Sequence, residues 1–195
     1  MSYCYDALNR VNGKAYSWQN CQNGQLPPGM AVVTYSYDSG INGIGHLTGL
    51  TDQAGSASYS YDLMGRISAE SRTINGVPNN VTKILNYTYN LEGSINTLTY
   101  PSGAIITYAP DSAGRMVSAI DTGNNINYVT GATHGPHGAL TGFVSGQHSG
   151  FGGITSTTVY DARLQPCRTT ASSGGAIPRN CDDSWGNLAG SSLPL

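Results

Sequence analysis

The sequence contains few charged residues. Lys, Arg, Asp and Glu make up 10% of its 195 residues, and the chain has two Lys and two Glu. An ordinary globular protein has about 25% charged residues, and long surface helices use Lys and Glu as fillers. The composition therefore argues against such helices. The net charge of −2 gives no basic surface for nucleic acid.

Long hydrophobic runs are absent as well. No apolar stretch reaches the roughly 18 residues that a membrane-spanning helix needs, so no membrane span is predicted. The first ten residues, MSYCYDALNR, have neither the basic region nor the apolar region of a secretory signal. We expect the chain to stay inside the cell, to leave it by another route, or to be a piece of a longer chain.

Sequence motifs for catalysis are also missing. There is no Gly-x-Ser-x-Gly nucleophile elbow and no phosphate-binding lysine motif. His134 and His137 are separated by Gly-Pro, which favours a turn over the helical spacing of a metalloprotease. Asp182 has no evident partner for carboxylate-pair chemistry. The sequence predicts no enzyme, no cofactor, and no catalytic, cofactor-binding or metal-binding residues.

Glycine and tyrosine are abundant instead, with 26 and 13 residues. The tyrosines lie in short runs with Val, Ile and Thr, which are the residue types that favour β-strands. Glycine, serine and asparagine between the runs are typical of turns. The composition therefore predicts an all-β chain with many turns.

A short motif recurs along the chain: Tyr-x-Tyr-Asp-x-x-Gly-Arg followed by an aliphatic residue. Its clear repeats lie at residues 3–11, 59–67 and 87–95, weaker ones begin at residues 35, 108, 159 and 183, and GPHGAL at 135–140 is interpreted as a decayed one. The residues predicted to be structural in these repeats are Tyr3, Tyr5, Asp6, Arg10, Tyr35, Tyr37, Asp38, Tyr59, Tyr61, Asp62, Gly65, Arg66, Tyr87, Tyr89, Asn90, Gly93, Tyr108, Asp111, Gly114, Arg115, Tyr160, Asp161, Asp183 and Gly186.

Each repeat predicts a β-hairpin. Alternation places both tyrosine rings on one face of a strand. The aspartate can accept a hydrogen bond from the backbone two residues on, and glycine at the fourth turn position tolerates a positive φ. A single hairpin is only marginally stable in water, so the hairpins are expected to stack edge to edge and bury their tyrosines jointly, Tyr61 and Tyr89 among them.

From these repeats the chain resembles the YD-repeat proteins, also called RHS-repeat proteins. This family includes bacterial Rhs polymorphic toxins, the B and C components of insecticidal toxin complexes, and animal teneurins. The resemblance runs from Tyr3 to about Leu188, with seven or eight degenerate hairpins in one array over residues 1–195. It implies consecutive hairpins in a continuous spiralling sheet, as an open β-solenoid or shell segment, with no separate catalytic domain.

The resemblance also implies a function. In that family the hairpins form a hollow shell around a toxin or other cargo, so we expect a structural shell segment whose partners are further repeat segments or toxin cargo. An exported or extracellular protein of a bacterial source is expected. Bacterial members usually carry an Asp-Pro-x-Gly segment at the end of the shell, and this sequence contains no Asp-Pro. The alternative is a stand-alone extracellular binding module, or one that assembles into oligomers or filaments through open sheet edges.

Four cysteines form two local pairs, Cys4 with Cys21 and Cys167 with Cys181. Each pair spans about one repeat, so two disulfides are the favoured interpretation. Four reduced thiols are the alternative that a cytosolic protein would show. A zinc site is a third alternative, but no Cys-x-x-Cys spacing supports it.

Overall fold

The computed structural model describes residues 1–16, 21, 26 and 32–174. Within these residues the chain forms fourteen β-strands and no helix. The strands are β1 (Ser2–Tyr5), β2 (Val11–Ala15), β3 (Val32–Tyr37), β4 (Leu47–Asp52), β5 (Gly55–Tyr61), β6 (Ile67–Ile74), β7 (Val81–Tyr89), β8 (Ile95–Thr99), β9 (Ile105–Pro110), β10 (Met116–Asp121), β11 (Ile126–His134), β12 (Leu140–His148), β13 (Ile154–Tyr160) and β14 (Pro166–Ser172).

The strands form one sheet in which hydrogen-bonded neighbours are consecutive in sequence, from β1 to β14. Consecutive antiparallel strands joined by short turns are β-hairpins. The predicted fold class, an all-β chain of hairpins in one continuous sheet, is therefore confirmed. The chain divides into two compact units, which are described separately below.

The first unit holds Met1–Thr88 and Thr99–Gly103. The strand register gives its sheet two different faces, because side chains alternate along each strand. On one face a row of hydroxyl side chains crosses five strands. The tyrosines of β3 and β5 lie on the other face, and the exposed serines between them lie on the same face as the hydroxyl row. The hydroxyl row consists of Thr34, Thr51, Ser56, Thr73 and Thr82.

The second unit holds Tyr89–Leu98 and Ala104–Leu195, and its described part contains β8 up to Leu98 and all of β9 to β14. Its longest strands are β11 and β12, with nine residues each. Asp121, at the end of β10, is 1% exposed. Its carboxylate accepts hydrogen bonds from the backbone N–H of Asn124 at 3.0 Å and from the Asn124 side-chain amide at 2.7 Å. The buried carboxylate therefore closes the turn between β10 and β11.

Few side chains are fully buried, because the described residues form a single sheet and no second layer. Domains usually bury their core between two layers. Here Tyr61 and Tyr89 are only half-buried. Tyr3 and Tyr5 are 44% and 48% exposed, so the predicted joint burial is wrong for the first repeat. The buried apolar residues are Cys4, Ala15, Val33, Ala57, Ile106 and Ala132.

Candidate functional site

Seven hairpin turns in the described residues follow the repeat pattern. In six of them the first residue donates its backbone N–H to the carbonyl four residues on, and its own carbonyl accepts the N–H three residues on. In the seventh the chain is longer, and the N–H of Asp38 reaches the carbonyl of His46 at 3.2 Å. The six short turns begin at Asp6, Asp62, Asn90, Asp111, Gly135 and Asp161, with both bonds between 2.8 and 3.1 Å.

The fourth residue of each short turn has a positive φ. Gly65 and Gly114 have φ of 77° and 76°, and Asn9 has φ of 62° in the first repeat. Leu164 holds the same place with φ of 63°, although an L-residue pays about 1–2 kcal/mol there. Sequence reasoning missed this position, because leucine gives no signal for a left-handed conformation.

The aspartate of the turn binds both the backbone and an arginine. In turn 62–66, Oδ1 of Asp62 accepts the backbone N–H groups of Met64 at 2.8 Å and Arg66 at 2.9 Å. Oδ2 of Asp62 accepts the Nε–H of Arg66 at 2.7 Å. The same three bonds occur in the turns that begin at Asp6 and Asp111. The arginine of the motif therefore clamps the turn, which the sequence did not reveal.

Arg10 also joins two successive repeats. Its Nε lies 2.8 Å from Oδ2 of Asp6, while its two terminal nitrogens lie 3.0 and 2.6 Å from the two oxygens of Asp38. The longer turn of Asp38 closes with His46 in place of an arginine. Hydrogen bonds from the Arg10 guanidinium, with the N–H of Gly45, lower the pKa of Asp38 to about 2. The preceding repeat therefore supplies the cation that this turn lacks.

The second tyrosine of a repeat binds the repeat before it. The Tyr37 hydroxyl donates to the carbonyl of Val11 at 2.7 Å, and the Arg10 guanidinium lies 4.4 Å from the Tyr37 ring centre. The Tyr61 hydroxyl donates to the carbonyl of Leu47 at 2.5 Å. The His46 ring stacks on the Tyr61 ring, with centroids 4.4 Å apart.

Tyr160 makes the same contact in the second unit. Its hydroxyl donates to the carbonyl of Leu140 at 3.0 Å, and its ring forms a T-shaped pair with the His137 ring, with centroids 4.7 Å apart. We call this arrangement the tyrosine junction. It consists of the second tyrosine of a repeat, the carbonyl of the residue that follows the preceding turn, and a cationic or imidazole side chain of that turn. Val11, Leu47 and Leu140 were not predicted as acceptors, because the contact joins residues distant in sequence.

The remaining predicted residues take varied positions. Tyr35, Tyr59, Tyr87 and Tyr108 are half-buried within strands β3, β5, β7 and β9. In the turn that begins at Asn90, the side-chain amide of Asn90 donates to Oγ of Ser94 at 2.9 Å, so Ser94 stands where the arginine is expected. Gly93 has φ of 97°. Asp183 and Gly186 lie outside the described residues.

A disulfide joins Cys4 and Cys21, whose Cα atoms are 5.7 Å apart. Cys4 is 1% exposed on β1, so the bond anchors residue 21 to the first hairpin. Cys167 is also disulfide-bonded. Its predicted partner, Cys181, lies outside the described residues.

The described ranges contain no cluster of three or more His, Cys, Asp or Glu side chains that could hold a metal ion. They also contain no helix with the length and hydrophobicity to cross a membrane. The turn aspartates accept hydrogen bonds from backbone N–H groups, and four of them also bind an arginine: Asp6, Asp38, Asp62 and Asp111.

No protein-family model matches the chain, and no curated protein sequence matches it significantly. Solved structures do match. The Photorhabdus luminescens Tc holotoxin pore aligns with a TM-score of 0.62 and 13% identity over 85% of this chain and 10% of that one. TcdB2-TccC3 without its hypervariable C-terminal region aligns with a TM-score of 0.60 and 13% identity over 87% of this chain and 10% of that one.

A third structure, TcdB2-TccC3-TEV, aligns with a TM-score of 0.61 and 13% identity over 93% of this chain. In each case the chain spans about a tenth of the length of the matched one. At this identity the similarity concerns the fold. The resemblance to YD-repeat proteins of insecticidal toxin complexes, which the repeats predict, is therefore confirmed at the level of the fold: the described hairpin array has the fold of part of these Tc toxin chains.

Proposed function

We propose that this chain is a structural segment of a larger β-repeat shell that encloses or delivers a cargo. One observation carries the proposal: almost the whole chain aligns with a small part of much longer Tc toxin chains. A non-catalytic role, toxin or other cargo as a partner, and an exported bacterial protein belong to the same proposal.

The tyrosine junctions support this role. Each junction joins one hairpin to the hairpin before it, through a hydroxyl and a main-chain carbonyl. Stability in such an array comes from contacts between neighbouring repeats, so the sheet can be extended by adding repeats. Two lysines in the whole chain also leave the strands poor in the charge that normally discourages further pairing.

The experiment is to isolate the chain from its source under native conditions through an affinity tag. Native mass spectrometry then identifies what is recovered, and limited proteolysis tests for protected partners. The proposal predicts an assembly, or one longer polypeptide, that contains additional repeats. It also predicts a protease-protected segment without repeats, which would be the cargo. Recovery of a lone monomer of 20.4 kDa would overturn it.

A second candidate is self-assembly of the isolated chain, favoured by the exposed tyrosines of the first strand. Among the described strands, β1 pairs only with β2, and Tyr5 is 48% exposed. An uncharged edge strand favours pairing with another edge, and head-to-tail pairing leads to filaments or rings. Light scattering over a concentration series should show growth that the variant Tyr5→Lys suppresses. Clean monomers at all concentrations would exclude this candidate.

A further inference from the structure

One repeat in the second unit lacks both side chains of the tyrosine junction. The turn that begins at Asn90 ends at Ser94, where other repeats have an arginine or histidine. The residue before Asp111, where other repeats have the second tyrosine, is Pro110. The acceptor position of the junction, equivalent to Val11, is Ile95.

An open cavity of about 710 Å³ lies beside this incomplete junction. It lies between the turn at 90–94 and the turn at 111–114. Cavities that bind small ligands commonly measure about 300–1,000 Å³. The residues that line it are Glu92, Ser94, Pro110, Asp111, Ser112, Ala113 and Gly114.

Of the two carboxylates that line the cavity, Glu92 has no arginine partner among the residues that the structure describes. Oε1 of Glu92 accepts the Ser94 hydroxyl at 2.5 Å, and this bond lowers the pKa of Glu92. Asp111 is different, because Arg115 binds its Oδ2 through Nε at 2.8 Å. An ionised Glu92 on the wall therefore favours a ligand with a positive charge.

The other junctions show which group such a space accepts. In the three complete junctions the equivalent space holds the phenol ring of Tyr37, Tyr61 or Tyr160, whose hydroxyl donates to a main-chain carbonyl. In the first of these junctions the Arg10 side chain covers the ring at 4.4 Å. Ser94 is too short to cover a ring in this way, so the cavity remains accessible to an aromatic ring of another molecule.

We propose that this cavity binds the side chain of a tyrosine from a partner chain, presented beside a basic residue. The ring lies against Pro110 and the basic residue lies near Glu92. By equivalence with the complete junctions, the hydroxyl donates to the carbonyl of Ile95, which occupies the position of Val11. The partner thus completes the junction that this repeat leaves unfilled. This site is independent of whether the chain forms part of a shell, since it requires only the fold of the second unit.

Tyramine is the smallest probe that carries a phenol and a cation. We would titrate it into the full-length ¹⁵N-labelled chain and follow the amide resonances by NMR. Saturable shifts are expected for residues 92–95 and for 111–114. Phenethylamine, which lacks the hydroxyl, should bind about two- to tenfold more weakly, and p-cresol, which lacks the amine, about two- to fivefold more weakly. Absence of saturable shifts at these residues would overturn the proposal.

Two variants sharpen the test. Glu92→Gln should weaken tyramine binding about two- to fivefold at low salt and leave p-cresol binding unchanged. The matched control is Glu70→Gln, which changes the other glutamate of the chain and should alter neither. Pro110→Tyr restores the motif tyrosine, which should fill the cavity and abolish tyramine binding.

Unchanged tyramine binding by a folded Pro110→Tyr chain would contradict the proposal. If that variant does not fold, the shifts of the unaltered chain and the Glu92→Gln comparison still decide the question. Equal weakening by Glu92→Gln and Glu70→Gln would show a general charge effect, which also overturns the site.

Discussion

Turns 62–66 and 161–165 have the same backbone and different side chains. In both, the first N–H reaches the fifth carbonyl at 2.9 Å, and the first carbonyl accepts the fourth N–H at 3.0 or 2.9 Å. In both, Oδ1 of the aspartate accepts the N–H groups of the third and fifth residues. The aspartate and the paired strands are therefore sufficient to define this turn.

The other two motif residues differ between these turns. Gly65 and Arg66 follow the motif, whereas Leu164 and Gln165 replace them. The left-handed conformation at the fourth position is kept in both turns, with φ of 77° and 63°. The glycine and the arginine therefore contribute stability to a turn that forms without them. The following predictions test this division.

Acid should have the largest effect, because it acts on several aspartate turns at once. Arg10 and Arg115 lower the pKa of Asp38 and Asp111 to about 2, against about 3.9 in an unfolded chain. A lowered pKa stabilises the folded state above the unfolded value, and this contribution is lost as pH falls from about 4 to about 2. Urea unfolding followed by circular dichroism should show this loss. The loss should be smaller in Asp111→Asn, and a midpoint unchanged from pH 5 to pH 2 would contradict it.

Valine at position 65 should be the most damaging single substitution of this set. A β-branched residue at φ of 77° is strained, and the added Cβ would lie 3.0 Å from Nε2 of His46. We expect Gly65→Val to reduce the free energy of unfolding by about 2–3 kcal/mol. The control is Leu63→Val in the same turn, where the side chain is 92% exposed and the change should stay below about 0.5 kcal/mol. Equal effects would contradict the assigned turn geometry.

Replacing Leu164 by glycine should stabilise the chain. Relief of the left-handed strain outweighs the entropy cost of glycine, so Leu164→Gly should raise the free energy of unfolding by about 0.5–1 kcal/mol. The reciprocal variant is Gly114→Leu, because a Cβ at Gly114 would contact nothing within 4 Å and reports strain alone. It should destabilise by a similar amount. Denaturation curves that move both variants in the same direction would disprove this reasoning.

Restoring the arginine of turn 161–165 should have the smallest effect. Gln165→Arg gives Asp161 the partner that Asp62 has in Arg66, but exposed ion pairs contribute little. The unfolding temperature should rise by no more than about 2 °C at low salt. The gain should disappear in about 1 M salt, because salt screens exposed charges. A gain that persists in high salt would show that packing, and not charge, is responsible.

Much of the fold could be predicted from sequence, because the repeat encodes its own local structure. Alternating tyrosines indicate strands, and Asp-x-x-Gly indicates turns, which the structure places at Asp62 and Asp111. The decayed repeat at 135–140 also forms the turn, with Gly135 in place of the aspartate. There the strand pairing determines the backbone, and the motif is dispensable.

The tyrosine junctions could not be predicted in the same way. They depend on which carbonyl faces a ring 14 to 26 residues away, as with Leu47 and Tyr61 or Val11 and Tyr37. The cavity beside Pro110 was missed for the same reason, since it exists only in relation to the junctions that are complete. Partial burial of the tyrosines also depends on the absence of a second layer over the described sheet, which periodicity does not report.

The acceptor in each junction is a main-chain carbonyl, and this has an evolutionary consequence. Every residue type carries a carbonyl, so the residue at the position of Val11, Leu47 or Leu140 can change without removing the bond. A repeat can therefore be duplicated, deleted or exchanged by recombination, and its new neighbour still offers the acceptor that its tyrosine needs. Such interchangeable contacts allow an array to drift far in sequence while its strands keep their order.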